Sequence, residues 1–326
     1  MIRSLLQNAR RCWLGVLLVS TLPGCASLDL EKSLSQLPPE LPAVHELRDT
    51  PYFPQEQNHC GPAALATLLN YQQVMVSPET LALTTYLPEA KGSLQIELAA
   101  TARQYGMLVY PIEGDLQGLL QEVAAGNPVL ILQNQAFGWF PRWHYAVVVG
   151  YDLPQQALIL RSGREKRWIS DFSAFLRTWK RARNWGIVLL HPGQFPATAE
   201  VSPYLSAALD LERSSQLDAA HQAYRAAVER WPESTLAWLM LGNSAYARRE
   251  WPLAISAFQQ ATRLEPGNPS TWNNLAYAFL EEGLTDEALV AVEQAIELAP
   301  EDANLQASKA EIVSRLPSTE RKPGVE

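Results

Sequence analysis

The sequence predicts an α+β domain followed by an all-α solenoid, and three observations predict it. Between residues 47 and 192, helical patterns alternate with short apolar runs of strand length. The segment Pro192-Gly193-Gln194-Phe195-Pro196, with Pro203 beyond it, then interrupts the chain. Past that break every pattern is helical, and small and aromatic residues recur in columns 34 positions apart. A chain of 326 residues with 47% hydrophobic content can bury both cores.

At the N-terminus Arg3, Arg10 and Arg11 precede the uncharged apolar residues 12–22. This run is too short to span a bilayer as a permanent helix and has the layout of a secretory signal. It ends in Leu22-Pro23-Gly24-Cys25, which resembles the bacterial lipobox. The resemblance implies cleavage after residue 24 and lipidation of Cys25, and Ala26 implies the periplasmic face of the outer membrane. Residues 25–46, with Pro38, Pro39 and Pro42, are then expected to be a lipidated tether. Removal of residues 1–24 takes away three arginines and no acid, so the formal charge of -8 becomes -11. That surface disfavours phosphate backbones, and no run of basic residues offsets it, which argues against a nucleic-acid partner.

Within residues 47–192 the chemistry centres on Cys60. Cys12 and Cys25 are accounted for by the signal segment, so Cys60 has neither a disulfide partner nor companions for a zinc site. Residues 62–70 read as helix, with Pro62 tolerable only in the first turn, so Cys60 falls at a helix N-terminus. The macrodipole and unpaired N–H groups there are expected to lower the thiol pKa.

A thiol nucleophile needs a proton partner, and the chain has five histidines. His45 falls in the tether, His221 on a repeat helix, His191 just past an apolar run, and His59 beside Cys60. His144 opens the apolar run 145–150 and is the candidate base, the alternative being a structural histidine at a strand edge. Trp139, Phe140 and Trp143 just before it either line a groove or cover the sheet edge.

Gln55, Cys60-Gly61-Pro62-Ala63 and His144-Tyr145-Ala146-Val147-Val148 together resemble the papain-like cysteine peptidases of the C39 group, which cut double-glycine leaders from secreted peptides. The nearest likeness is to a lipoprotein branch of that group carrying C-terminal tetratricopeptide repeats. The resemblance implies a papain-like α+β fold, with the Cys60 helix on an antiparallel sheet of residues 107–111, 128–133, 144–151, 157–162 and 185–190. It implies Cys60 as nucleophile, His144 as base and then acid, and Gln55 as oxyanion donor, with Gln57 competing for that last role. No cofactor or metal is implied.

The group orients its histidine with an Asp-Pro aspartate ending the next strand, where this chain has Arg161 and Ser162. Asp152 lies on the order of 25 Å from His144 along a straight strand. Glu165, Asn134 or a backbone carbonyl remain options, and the sequence assigns none of them. A Gly-x-x-x-x-Gly-Lys-Ser/Thr phosphate loop is absent from the sequence, so ATP is not an expected ligand.

After a linker at 193–202, residues 203–316 carry the columns Tyr204/Trp238/Trp272, Ala220/Ala254/Ala288, Ala227/Ala261/Ala295 and Pro232/Pro266/Pro300. They resemble the tetratricopeptide repeat, which Trp238, Leu241, Gly242, Ala254, Phe258, Ala261 and Pro266 fill best. Three repeats and a capping helix are expected, then a tail at 317–326. Trp238, Trp272, Tyr277 and Phe279 read as core. Such stacked pairs form a groove for a partner protein or peptide.

The expected whole is a thiol hydrolase on a membrane tether, cleaving a peptide with a protein-binding arm beside it. The alternatives are a peptide-binding scaffold on a degenerate peptidase fold, or an amidase or acyltransferase on the same fold.

Overall fold

The computed structural model describes residues 30–315 apart from 32, 36, 55–58, 90 and 91. The signal segment, Cys25, Gln55, Gln57 and the tail therefore lie outside the described residues.

The first domain is an α+β unit built on an antiparallel sheet. In chain order its elements are β1 (Val44–Glu46), α1 (Cys60–Tyr71), α2 (Pro78–Thr85), α3 (Gln95–Gln104), β2 (Leu108–Pro111), α4 (Leu116–Ala124), β3 (Val129–Asn134), β4 (Trp143–Asp152), β5 (Ala157–Ser162), β6 (Glu165–Asp171), α5 (Phe172–Lys180) and β7 (Gly186–Leu190). The strand order is β2-β7-β3-β4-β5-β6, and β1 pairs with β4. β3 pairs with residues 143–148 of β4 and β1 with residues 150–152, so the two share one edge of that long strand. Five of these strands coincide closely with the expected apolar runs, because β3, β5 and β7 are buried almost throughout and leave no polar face to break the run.

The other two strands were not expected. β6 reads Glu165-Lys166-Arg167-Trp168-Ile169-Ser170-Asp171 and lies at the sheet edge, almost entirely exposed. Its charges suit an edge, where they discourage pairing with another chain. β1 and the residues before it correct the tether expectation. Leu30, Leu34, Leu37 and Leu41, spaced at helical intervals, pack against the core, and Leu153 N–H donates to Ala43 O at 2.8 Å. The prolines among them mask this apolar spacing in the sequence. His45 therefore sits in the sheet rather than in a free tether, beside Tyr151 across β4. Gly150 makes this pairing possible, since a Cβ there would stand 2.6 Å from His45 O.

Alternation along β4 divides the interior into two layers. Tyr145, Val147 and Val149 pack with Leu65, Leu68 and Leu69 of α1. Ala146 and Val148 face the opposite way, toward Leu119 and Val123 of α4 and Phe175 and Trp179 of α5. α1 is buried from Gly61 through Asn70, as expected of a helix apolar on every side.

The second layer runs without a break into the solenoid. Its helix pairs are α6 (Val201–Arg213) with α7 (Leu217–Arg230), α8 (Thr235–Ala247) with α9 (Trp251–Leu264), and α10 (Pro269–Glu282) with α11 (Thr285–Leu298), closed by α12 (Ala303–Ser314). The alanine columns are buried throughout, which lets paired helices approach closely. Trp238 Nε1–H donates to Pro232 O and Trp272 Nε1–H to Pro266 O, each at 2.8 Å. At the next 34-residue step Gln306 donates to Pro300 O, so the aromatic and proline columns are halves of one contact. Phe279 is core as expected. Trp238, Trp272 and Tyr277 are only half buried, and Tyr277 bonds Glu311 Oε2 at 3.0 Å.

The segment expected to be a linker is docked. Glu122 of α4 is fully buried, and its carboxylate accepts from Ala197 N–H at 3.1 Å, Thr198 N–H at 2.8 Å, Thr198 Oγ1–H at 2.6 Å and Asn127 Nδ2–H at 2.7 Å. Tyr110 Oη donates to Thr198 O and accepts from Glu200 N–H. Phe195, Tyr204 and Trp231 form an aromatic cluster beside it, and Arg103 pairs with Asp210 at 2.6 Å.

Candidate active site

Cys60 is the first residue of α1 and is a free thiol, half buried. Gly61 follows because a Cβ there would lie 2.7 Å from Ser93 Oγ. The backbone N–H groups of Tyr145, Gly61 and Cys60 itself favour the thiolate, yet burial outweighs them and pushes the thiol pKa above its ordinary value. The expectation of a lowered pKa is thus reversed, because desolvation at this helix end is the larger effect. The contact from Tyr145 to the sulfur is its backbone N–H. Its phenol is raised by burial and then by the Cys60 charge, and its hydroxyl donates to Ser93 O at 3.1 Å.

His144 is the second residue of β4, immediately before Tyr145. The pleat gives it the side of Ala146 and Val148, and Gln133, its partner on β3, donates to Thr178 Oγ1 of α5 on that side. The imidazole Nε2 lies 2.8 Å from Ser162 Oγ. Burial lowers its pKa from 6.5 to about 4, and Arg142 adds to the effect. Thiol and imidazole thus share an end of β4 but lie on opposite sides of its pleat, and burial favours the neutral form of each. Among the described residues no hydrogen bond joins them.

The other candidates separate cleanly. Asp152 lies at the far end of β4 opposite Val44 and Ala157, and accepts from Gln155 N–H. Asn134 Oδ1 accepts from Ala136 N–H and Arg142 N–H, both at 3.0 Å, and so shapes the β3–β4 loop. Glu165 opens β6 opposite Ser162 and is exposed. Arg161 turns away from the imidazole to donate to Thr50 O, Lys166 O and Arg48 O, which ties residues 48–50 to β5. Ser162 is the contact that sequence reasoning left unassigned, although it stood at the matching place. The hairpin register pairing Val147 with Arg161 delivers it. Trp139, Phe140 and Trp143 are 84%, 69% and 52% exposed, so they do not cover the sheet edge. Phe137 stacks on Trp139 at the same loop tip.

Among the described residues there is no cluster of three His, Cys, Asp or Glu side chains able to hold a metal ion, and no helix long and apolar enough to cross a membrane.

The depressed His144 pKa has a consequence for stability. Between pH 6.5 and about 4 the unfolded chain binds a proton at this residue that the folded chain refuses. Stability from this source is complete above pH 6.5 and is lost as pH falls toward 4, by at most about 3 kcal/mol. Urea midpoints at pH 7 and pH 4.5 should differ less in His144→Gln than in the wild type, and an equal difference would contradict the assignment.

Residues 47–187 match the model of the Peptidase_C39 like family. The chain carries a C39-like peptidase domain followed by tetratricopeptide repeats. The repeat model matches at residues 205–269 and 239–303. The chain is also similar to the peroxisomal targeting signal receptor of Candida albicans, 26% identical over 129 residues. That match covers 39% of this chain and 22% of the receptor, so the chain spans about a fifth of the receptor's length. A C39-like peptidase crystal structure from Bacillus anthracis is 17% identical with a TM-score of 0.40, covering 45% of this chain and 97% of that one. The first repeat domain of Spaghetti (RPAP3), bound to an HSP90 peptide, is 14% identical with a TM-score of 0.34, covering 35% and 90% respectively.

Proposed function

We propose that the C39-like domain is a cysteine hydrolase that cleaves peptides through an acyl-enzyme on Cys60. What supports this reading is a free thiol at the head of α1 that the Tyr145 backbone N–H reaches and, one residue earlier on β4, a His144 whose Nε2 is held by Ser162; the step requires Nδ1 to reach the sulfur round the end of the strand. In the step proposed, Nδ1 takes the proton of Cys60 Sγ as sulfur attacks the amide carbonyl and the S–C bond forms. Gln55 and the Cys60 N–H receive the oxyanion. The C–N bond then breaks as the imidazolium returns its proton to the leaving amine, and water hydrolyses the thioester to a carboxylate.

A double-glycine-type leader is the substrate class proposed, with the aromatic tip at residues 137–143 as the surface against which its side chains pack. The repeats suit recruitment of a protein partner, and within them Asn243, Tyr246, Phe258, Asn274 and Tyr277 line a cavity of about 260 Å³. Lipidation at Cys25 would hold the protein at the periplasmic face of the outer membrane. One observation favours the scaffold reading instead, namely a serine where a carboxylate would strengthen the base.

Intact mass spectrometry after mixing with double-glycine peptides, other peptides and simple amides separates these readings. An acyl adduct on Cys60 that is absent in Cys60→Ser is expected, and its chemical class identifies the substrate. Saturable peptide binding with no adduct at any pH would establish the scaffold instead.

A further inference from the structure

We propose that Ser162 is the positioning residue for His144, and that its hydroxyl holds the imidazole as a neutral general base rather than as half of a thiolate–imidazolium pair. This rests on the reading of Cys60 and His144 as nucleophile and base.

The geometry is specific. Ser162 ends β5, and the antiparallel register of β4 and β5, fixed at Val147 with Arg161 and at Val148 with Leu160, carries it to within 2.8 Å of His144 Nε2. The β5–β6 pairing is irregular between Leu160 and Ser162, at the point where Arg161 points one way and Ser162 the other. Irregularities of this kind re-aim a side chain.

The surroundings favour a neutral imidazole from every packed element. Just before its own strand the acting charge is Arg142, which opposes protonation. β3 presents Gln133, uncharged and engaged by Thr178 of α5. The Arg181 guanidinium at the end of α5 is held by the carbonyls of Ala136 and Asn134. β5 presents Ser162 and a buried Arg161 that faces Thr50, Lys166 and Arg48 carbonyls. Arg164 and Glu165 beyond it are exposed. Among the described residues no carboxylate bonds to the imidazole.

A hydroxyl differs from a carboxylate in two ways that matter here. It can accept from Nε2–H, leaving Nδ1 with a lone pair, or donate to Nε2, leaving Nδ1 protonated and useless as a base. A carboxylate accepts only, so it permits just the first tautomer and also stabilises the imidazolium. Serine therefore gives a site that rests as thiol and neutral imidazole, and in which the proton leaves sulfur only as a positioned carbonyl is attacked. Such a site reacts slowly with small electrophiles and depends on bound substrate for its rate.

Ser162→Asp, Ser162→Ala and Ser162→Thr in the full chain test this, read by long-range ¹⁵N–¹H correlations of the His144 imidazole across pH and by the alkylation rate of the Cys60 peptide. Ser162→Asp is expected to raise the His144 midpoint from about 4 past 6.5 and to speed alkylation at pH 7 by on the order of tenfold or more. Ser162→Ala should remove the bonded Nε2–H signal, and Ser162→Thr, which keeps the hydroxyl, should retain the wild-type tautomer and titration. If Ser162→Ala and Ser162→Asp leave tautomer and titration unchanged while His144→Ala alters alkylation, the role of Ser162 is overturned and the pair stands. If His144→Ala also leaves the alkylation profile of Cys60 unchanged, the nucleophile–base reading itself falls.

Discussion

Replacing His144 by alanine is expected to slow acylation of Cys60 by about 10²–10⁴-fold at pH 7, the range that a positioned general base contributes. The reason lies in the resting state. A Cys60 thiolate formed in advance would attack without help, and loss of the imidazole would then cost little. Burial instead holds the thiol protonated and His144 unprotonated, so proton transfer must accompany attack. The fold should survive the change, because among the described residues the imidazole bonds only Ser162, at the start of a strand. Quenched-flow or mass measurement of the acyl-enzyme with a cleaved peptide supplies the number, and a change below about threefold would remove His144 from the chemistry.

The second large effect concerns stability. Glu122→Ala is expected to cost about 3 kcal/mol or more, since buried neutral donors lose the carboxylate that accepts from them. The donors on Ala197, Thr198 and Asn127 would lose their acceptor, and a cavity would open beside them. Because Ala197 and Thr198 belong to the segment joining sheet and solenoid, the first visible consequence should be new protease cleavage within residues 192–200. Glu122→Gln should recover only part of the loss, since its amide group brings a donor into a ring of donors. Urea denaturation with paired limited proteolysis checks both substitutions. An unaltered urea midpoint would mean that the carboxylate does not hold the two units together.

The parts of the fold that were legible in the sequence are those whose cause is local. β3, β5 and β7 announce themselves as apolar runs because both their faces are buried, and the solenoid does so because every repeat meets the same steric demand at the same alanine. β6 could not be read, since Glu165, Lys166 and Arg167 become a strand only by pairing with β5. β1 was hidden among prolines and is a strand because β4 extends past the end of β3 and Gly150 leaves room for it. The same limit applies at the site. The residue types and the order of Cys60 and His144 were visible, whereas the partner of the imidazole depended on a hairpin register, and Ser162 is a residue type without charge to draw attention.

By itself, then, the sequence determined a free thiol at a helix head, a histidine at the mouth of a buried strand, and a solenoid with a 34-residue period, since each follows from spacing along the chain. Only the tertiary structure decided the direction in which burial shifts the thiol and the imidazole, the hydroxyl that bonds His144, and the docking of Leu30, Leu34, Leu37, Leu41 and residues 43–46 and 195–200 onto the first domain. Those depend on which surfaces lose their water and which strands lie side by side, and both are properties of residues far apart in sequence.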